Sequence, residues 1–264
     1  MINPDNIKQA QLYNLAEYQD KKVLNEIDTG VVSYPRCGSH WFRFMMEMLL
    51  EQPCWPEAYF CPDKYPWAQW YHDVHIGEFP YVNNIIPPNI TIRKLIFLYR
   101  DPFDMILSNL FFEQSMQSKD GKSKPFQTHP NNILKLCIGY KRYLYRWLNT
   151  NNVGFRIYIQ YKDLLDHPIQ MIRPVLMALE RNHEFTDQDI LNVHSAVKKS
   201  SIKAIKPNII INQPEDKRKY LKTKYYKYIR FCFDQERDLF SKRGPLIIHP
   251  TNPLPSYITR WEQI

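Results

Sequence analysis

The chain has 264 residues, of which 44% are hydrophobic and 23% charged, the composition of an ordinary globular protein with one sizeable α/β core. No run of eighteen apolar residues and no signal-peptide pattern occurs, so we expect no transmembrane segment and a cytoplasmic protein. The net charge of +8 accompanies no zinc-finger, helix-turn-helix or RNA-binding signature. We therefore expect the basic surface to attract a small polyanion, with nucleic acid unlikely as a main partner.

Strands alternate with helices along the chain, which predicts a single domain over residues 1–264. The predicted fold class is α/β, a three-layer α/β/α arrangement in which the central layer is a mainly parallel sheet. Residues 1–28 are expected to be one or two polar helices, and residues 244–264, which contain four prolines, an irregular tail. The predicted strands are Gly30–Tyr34, Gln69–Ile76, Lys94–Tyr99 and Gly154–Gln160. The predicted helices are Ser39–Glu51, Phe103–Gln114, Asn132–Asn149, Leu164–Glu180, Asp187–Lys199 and Lys219–Ser241.

The five cysteines suggest reduced thiols. Their number is odd, and no two of them form a Cys-x-x-Cys pair, so neither a disulfide framework nor a zinc knuckle is indicated. No metal is expected at the functional site.

The first chemistry-bearing segment, residues 34–41, follows a buried strand and opens a helix. It lacks the Walker A pattern, which disfavours an ATPase or a kinase. Pro35 ends the strand, Gly38 lets the backbone approach an anion, and Ser39 is suited to cap the helix. Arg36 supplies a fixed charge with bidentate geometry. The alternative is a strand-to-helix turn with no binding role and a solvated arginine.

The second segment has the pattern Arg-x-Pro-x-Asp-x-x-x-Ser, formed by Arg100, Pro102, Asp104 and Ser108. It also straddles a strand end and a helix start, where Pro102 and Asp104 are favourable. Arg100 and Ser108 are placed to meet one phosphate from two directions. The alternative is a capped helix whose arginine pairs with Asp104. Together the two segments predict an enzyme that holds a doubly phosphorylated nucleotide.

These segments resemble the sulfotransferases that use 3′-phosphoadenosine 5′-phosphosulfate (PAPS), whose fold is P-loop NTPase-like. The family loop Tyr-Pro-Lys/Arg-Ser-Gly-x-Thr-Trp corresponds to residues 34–41, and its Arg-x-Pro-x-Asp-x-x-x-Ser motif to residues 100–108. Residues 158–164 are similar to a third, less specific Tyr-Glu-Asp-Leu segment.

The resemblance implies a complete cofactor site. The first loop would cradle the 5′-phosphosulfate, Trp41 would stack near the adenine, and Arg100 with Ser108 would bind the 3′-phosphate. Tyr161 would also face the nucleotide, although core packing is the alternative for both Trp41 and Tyr161. The cofactor residues implied are Arg36, Cys37, Gly38, Ser39, His40, Trp41, Arg100, Ser108 and Tyr161, with Lys217 and Arg218 from a later basic segment.

The chain departs from the family pattern at three places. Cys37 replaces a serine, and a thiol is a weaker donor than a hydroxyl. His40 replaces a threonine and is larger. The basic-basic-glycine segment that embraces the 3′-phosphate has two candidates: residues 217–219 lack the glycine, and residues 242–244 have it but lie late in the chain. Either run is also explained as a solvated basic face.

The reaction needs a base for the acceptor hydroxyl, and the resemblance implies a histidine on the strand between the two motifs. His72, followed by Asp73, and His75 both fit, and on a strand they would point to opposite faces. We favour His72 narrowly, and a His-Asp-x-His metal site is a third option. Arg36 would stabilise the charge on the leaving phosphate oxygen.

The predicted reaction is in-line transfer of the sulfuryl group from PAPS to an acceptor hydroxyl, which releases adenosine 3′,5′-bisphosphate (PAP). The acceptor class stays open among a glycan, a lipid headgroup and a small alcohol, and the sequence carries no information on oligomeric state. Two alternatives are a kinase-like phosphotransferase and a non-catalytic nucleotide- or glycan-binding relative of the fold.

Overall fold

The computed structural model describes residues 13–14, 29–50, 57–58, 76–79, 93–117, 128–148, 155–199, 215–235 and 246–248. The strands are β1 (Tyr13–Asn14), β2 (Thr29–Ser33), β3 (Glu57–Ala58), β4 (Ile76–Phe79), β5 (Lys94–Tyr99), β6 (Phe155–Gln160) and β7 (Leu246–Ile248). The helices are α1 (Ser39–Leu50), α2 (Pro102–Gln117), α3 (Pro130–Leu148), α4 (Tyr161–Asp166), α5 (Pro168–Ala178), α6 (Asp187–Lys199) and α7 (Glu215–Cys232).

The central sheet has the strand order β4-β2-β5-β6-β7, and the first four strands are parallel. Val32 pairs with Phe97, and Phe97 pairs with Tyr158. The carboxyl ends of β2, β5 and β6 therefore meet at one edge of the sheet. This register brings the two motif-bearing turns, which follow β2 and β5, next to each other.

The two faces of the sheet bury different cores because side chains alternate along each strand. Val32, Phe97 and Tyr158 lie on one face in a core rich in aromatic rings, which α2, α3 and α7 cover. Ile96 and Ile159 lie on the other face in a core rich in methionine and aliphatic side chains, which α1, α5 and α6 cover. The protein is thus a three-layer α/β/α domain, which confirms the predicted fold class.

The predictions of a helical segment over residues 1–28 and an irregular tail over residues 244–264 are wrong for the few residues of each that the structure describes. Tyr13–Asn14, which lie in the segment expected to be helical, form a strand that pairs antiparallel with β3. Leu246–Ile248, in the tail expected to be irregular, pair antiparallel with β6. The prolines around Leu246–Ile248 indicated a surface tail, but three consecutive apolar residues, two of them β-branched, favour a strand once an open sheet edge is near.

The helix predicted from Leu164 to Glu180 is in fact two helices. α4 ends at Asp166, and His167 leaves the helical region with φ −135° and ψ 56°. Pro168 explains the break, since the proline ring disfavours the helical conformation of the preceding residue and itself suits the start of the next helix. The part of the predicted strand that precedes Ile76 lies outside the described residues.

Candidate nucleotide site

The turn after β2, which we call the first loop (residues 34–38), has an unusual backbone. Arg36 has φ 71° and Gly38 has φ 100°, both in the left-handed region. The Cys37 amide donates to the Tyr34 carbonyl at 3.0 Å and closes the turn. For a residue with a side chain such a φ costs about 1 kcal/mol, so surrounding contacts must hold Arg36 in place.

Gly38 is required at the close approach of the first loop to Tyr161. A Cβ atom on Gly38 would overlap Cδ2 of the Tyr161 ring. The Gly38 carbonyl accepts the Phe42 amide at 2.9 Å, which begins the helical bonding of α1. No acidic residue lies in the first turn of α1. The amides and the positive end of the helix dipole are therefore available for an external anion.

Two arginines and a serine meet where the first loop faces the turn after β5, which we call the second loop (residues 100–101). Arg36 Nε donates to Ser108 Oγ at 3.1 Å. Arg100 Nη1 donates to the Arg36 carbonyl oxygen at 3.0 Å, and its guanidinium lies 4.6 Å from the centre of the Tyr161 ring. The residues expected at two separate phosphates thus form one contiguous cluster.

The electrostatics of this cluster favour a bound anion. Burial lowers the pKa of Arg36, and the positive charge of Arg100 lowers it further. Burial raises the pKa of Tyr161, while the charges of Arg100 and Arg36 oppose that rise. Within the described residues neither guanidinium has a carboxylate partner. Two neighbouring positive charges that are partly removed from water repel each other, and a multiply charged anion would offset this repulsion.

The second loop is capped by its own side chain. Asp101 Oδ1 accepts the amides of Phe103 at 2.9 Å and Asp104 at 3.3 Å, as at the start of many helices. Asp101 also pairs with Arg230 of α7 at 2.9 Å. Asp104 pairs with Arg218 at 2.9 Å. The suggestion that Asp104 pairs with Arg100 is therefore wrong.

The pairing with Asp104 bears on the predicted role of Arg218. Its side chain is 42% exposed, and the ion pair holds its guanidinium beside α2, next to the second loop. Its contact with a 3′-phosphate stays a prediction, as does that of Lys217, whose side chain lies outside the described residues. His72, His75 and residues 242–244 also lie outside the described residues.

Cys37 and Trp41 are directed into the protein. The Cys37 thiol is 1% exposed and donates to the Tyr140 hydroxyl at 3.8 Å, and burial raises its pKa to about 12. It is therefore a neutral thiol at physiological pH. The Trp41 ring belongs to the aliphatic core, with its centre 5.8 Å from that of His194.

His40 lies at the open end of the first turn of α1, beside Ser39, and neither side chain is fully buried. His40 Nδ1 is 3.1 Å from Nη2 of Arg43, a buried residue one turn further along. This contact directs the imidazole along α1. The amides of Ser39 and His40 belong to the first turn, where they have no helical acceptor.

The sequence analysis missed two tyrosines of α3 that lie beneath the loops. The Tyr140 hydroxyl contacts the Arg100 peptide and the Cys37 thiol. The Tyr143 hydroxyl contacts the carbonyls of Val32 and Leu98. A signal was present, since residues three apart on a helix share a face, but the identity of that face is a tertiary property.

Across the described ranges, no helix is both long and apolar enough to cross a membrane. In the same ranges, no group of three or more His, Cys, Asp or Glu side chains is arranged to hold a metal ion.

The fold and the site define an α/β protein with a P-loop-like turn at the start of α1, where the geometry is suited to an anion. The family model described as sulfotransferase domain matches residues 26–236. The chain belongs to the sulfotransferase family. This match confirms the resemblance drawn from the two motifs and identifies the protein as a sulfotransferase enzyme.

Two similar curated proteins come from Cavia porcellus. A 3-beta-hydroxysteroid sulfotransferase is 21% identical over 214 residues, which cover 75% of this chain and 72% of the relative. A 3-alpha-hydroxysteroid sulfotransferase is 22% identical over 221 residues, with the same two coverages of 75% and 72%.

Two solved structures are similar over most of the chain. A mouse sulfotransferase complexed with PAP has a TM-score of 0.43 and 14% identity, covering 79% of this chain and 89% of its own. The sulfotransferase domain from the curacin biosynthetic pathway has a TM-score of 0.39 and 15% identity, covering 89% of this chain and 95% of its own.

Proposed function

We propose that this sulfotransferase moves the sulfuryl group of PAPS to the hydroxyl of a small-molecule acceptor and releases PAP. The observation that carries the proposal is the cluster of Arg36, Arg100 and Ser108 beside the start of α1. The two guanidiniums are partly buried, have no carboxylate partner among the described residues and lie next to the first-turn amides of α1. Such a site suits a ligand with two phosphate groups.

The residues divide into two roles in this proposal. Arg36 and the first-turn amides of α1 hold the 5′-phosphosulfate, where negative charge grows on the phosphate oxygen as the sulfur–oxygen bond breaks. Arg100 and Ser108 hold the 3′-phosphate. The protein supplies position and positive charge, as in phosphoryl transfer, and the sulfuryl group passes directly to the acceptor oxygen.

A histidine takes the proton of the acceptor hydroxyl in this proposal, with His72 favoured narrowly over His75. If this is right, one of the variants His72→Ala and His75→Ala will lose turnover of labelled PAPS while keeping its affinity for PAP. Full activity in both variants would exclude a histidine base from this segment.

The acceptor is proposed to be a small alcohol, because both curated relatives are named for hydroxysteroid acceptors. Steroid alcohols, phenols, oligosaccharides and lipids with hydroxylated headgroups should be compared in parallel with labelled PAPS. Preferential labelling of an oligosaccharide or a lipid headgroup would contradict the small-alcohol assignment and leave the sulfotransferase chemistry in place.

The direct test of the nucleotide site is a calorimetric titration of the protein with PAP, AMP and ATP. We expect PAP to bind in the micromolar range and the other two much more weakly, because only PAP carries a phosphate at the 3′ position as well as at the 5′ position. Loss of the charge-assisted bonds in Arg100→Ala should raise the Kd for PAP by about a hundredfold.

A matched control for Arg100→Ala is Arg181→Ala, which removes a partly exposed arginine that pairs with Glu184 in the segment between α5 and α6. Its Kd for PAP should equal that of the wild-type protein. Preference for ATP over PAP would favour a kinase-like phosphotransferase, and PAP binding without turnover on any acceptor would favour a non-catalytic relative.

A further inference from the structure

Tyr140 occupies the point beneath the site at which both loops meet α3. Its side chain is 0% exposed. Its hydroxyl accepts the Arg100 amide at 2.9 Å, donates to the Arg100 carbonyl at 2.7 Å, and accepts the Cys37 thiol at 3.8 Å. A tyrosine hydroxyl can both donate and accept, and these contacts use the Tyr140 hydroxyl in both roles.

The Arg100 peptide that forms these hydrogen bonds lies beyond the β5–β6 ladder. β5 ends at Tyr99, and the ladder to β6 ends with the pairing of Tyr99 and Gln160. Arg100 is therefore the first residue beyond the paired strand. The Tyr140 hydroxyl satisfies both the amide and the carbonyl of Arg100, a role that a neighbouring strand would otherwise have.

The same hydroxyl is connected to the charged cluster through two routes. On one side, the Arg100 guanidinium reaches the Arg36 carbonyl at 3.0 Å and lies over the Tyr161 ring. On the other side, Cys37 directly follows Arg36, whose left-handed backbone needs outside support. A change at the Tyr140 hydroxyl would thus reach both loops.

We propose that Tyr140 is a positioning residue that sets the place of Arg100 relative to the first loop and thereby the selectivity for a nucleotide with a 3′-phosphate. This role rests on the proposed function, because it is measured through PAP binding. Tyr140 does not touch the ligand in this account; it acts through Arg100.

Tyr143 provides a matched control from the same helix. It is 1% exposed, and its ring stacks on that of Tyr140 with centres 5.9 Å apart. Its hydroxyl lies 3.0 Å from the Val32 carbonyl and 2.9 Å from the Leu98 carbonyl. Both partners belong to paired strands, so Tyr143→Phe removes the same atom from the same core without releasing either loop.

The experiment compares Tyr140→Phe and Tyr143→Phe by calorimetric titration with PAP and with AMP, at a temperature below both unfolding transitions. We expect both variants to lower the midpoint of thermal unfolding, because each removes the hydrogen bonds of a buried hydroxyl. Only Tyr140→Phe should raise the Kd for PAP, by about tenfold, and it should raise the Kd for AMP by a smaller factor, because AMP lacks the 3′-phosphate that Arg100 meets in the proposed function. A purely structural role would weaken both nucleotides alike or neither.

A double-mutant cycle sharpens the assignment. If Tyr140 acts mainly through Arg100, then Tyr140→Phe should cause a much smaller loss of PAP affinity in the Arg100→Ala background than in the wild-type protein. Additive losses would overturn the proposal. So would an equal PAP-to-AMP affinity ratio in Tyr140→Phe and Tyr143→Phe.

A second variant keeps the test decisive if Tyr140→Phe does not fold. Cys37→Ala removes the donor on the side of the first loop and keeps the Arg100 contacts, so we expect a rise of about threefold in the Kd for PAP. Unchanged affinity would contradict a link between the loops through this hydroxyl. Failure of the wild-type protein to bind PAP would instead overturn the proposed function itself, and this role with it.

Discussion

The two loops of the site reach their conformations by different means. The first loop has a left-handed arginine, a left-handed glycine and a ring packed directly on that glycine. The second loop is held by a local cap, in which Asp101 accepts two amides of the helix that follows it. The first loop therefore depends on the surrounding fold, whereas much of the second is encoded within a few residues of chain.

This difference suggests where the site is most easily disturbed. Backbone strain of the kind seen at Arg36 persists only when neighbouring contacts over-determine it, and such strain clusters at functional sites. A capped turn carries no comparable strain. We therefore expect substitutions in the first loop to affect stability and binding together, and substitutions in the cap of the second loop to affect mainly stability.

The largest effect is expected for Gly38→Ala. The new methyl group would overlap the Tyr161 ring, and alanine disfavours a φ of 100°. We expect a loss of about 1–3 kcal/mol in the free energy of unfolding from the backbone alone, together with loss of measurable PAP binding. Thermal unfolding and calorimetric titration check the two parts, and wild-type PAP affinity in this variant would contradict the described geometry.

An effect of intermediate size is expected for the difference in stability between glycine and alanine variants, and its sign should differ between the two loops. At Arg36, whose φ is 71°, the glycine variant should be more stable than the alanine variant by about 1 kcal/mol, because only alanine retains the left-handed strain. Arg100 is not among the described residues with positive φ, so there the alanine variant should be the more stable one. Chemical denaturation of the four variants measures both differences.

All four of these variants remove a guanidinium and should lose PAP affinity alike. If the stability difference between the glycine and alanine variants had the same sign at both positions, the two loops would not differ in backbone strain as described.

The smallest effect is expected for Asp101→Ala, which removes the cap and should cost about 1 kcal/mol of stability. Asp101→Asn keeps an oxygen for the cap and removes only the charge opposite Arg230, so it should be nearly neutral, since partly exposed ion pairs contribute little. PAP affinity should stay close to the wild-type value in both variants, as calorimetric titration would measure. A large loss of affinity in Asp101→Asn would show that the charge of Asp101 belongs to the site.

Much of this molecule was predictable because its signals are local. The apolar run Lys94–Tyr99 predicted β5 with its observed bounds, and the helix predicted over Asp187–Lys199 has the observed bounds of α6. Both arginines directly follow strands that the sequence indicated, and they lie at one edge of the sheet because β2 and β5 are parallel neighbours.

Other features have no local signal. The antiparallel edge strand Leu246–Ile248 depends on an open sheet edge at β6, and the contact between Arg36 and Ser108 joins residues 72 positions apart. The break at His167 was readable from Pro168 and was missed because the apolar pattern continues on both sides of it.

The sequence by itself determined the three-layer class, the family and the residue types at the ends of β2 and β5, because periodicity, helix-start chemistry and the two motifs are properties of neighbouring residues. Only the tertiary structure decided which groups meet. The Cys37 thiol lies buried against Tyr140, Asp104 pairs with Arg218, and one tyrosine hydroxyl holds the Arg100 peptide. The physical reason is that each of these contacts joins separate elements, whose relative placement is set by burying both faces of the sheet.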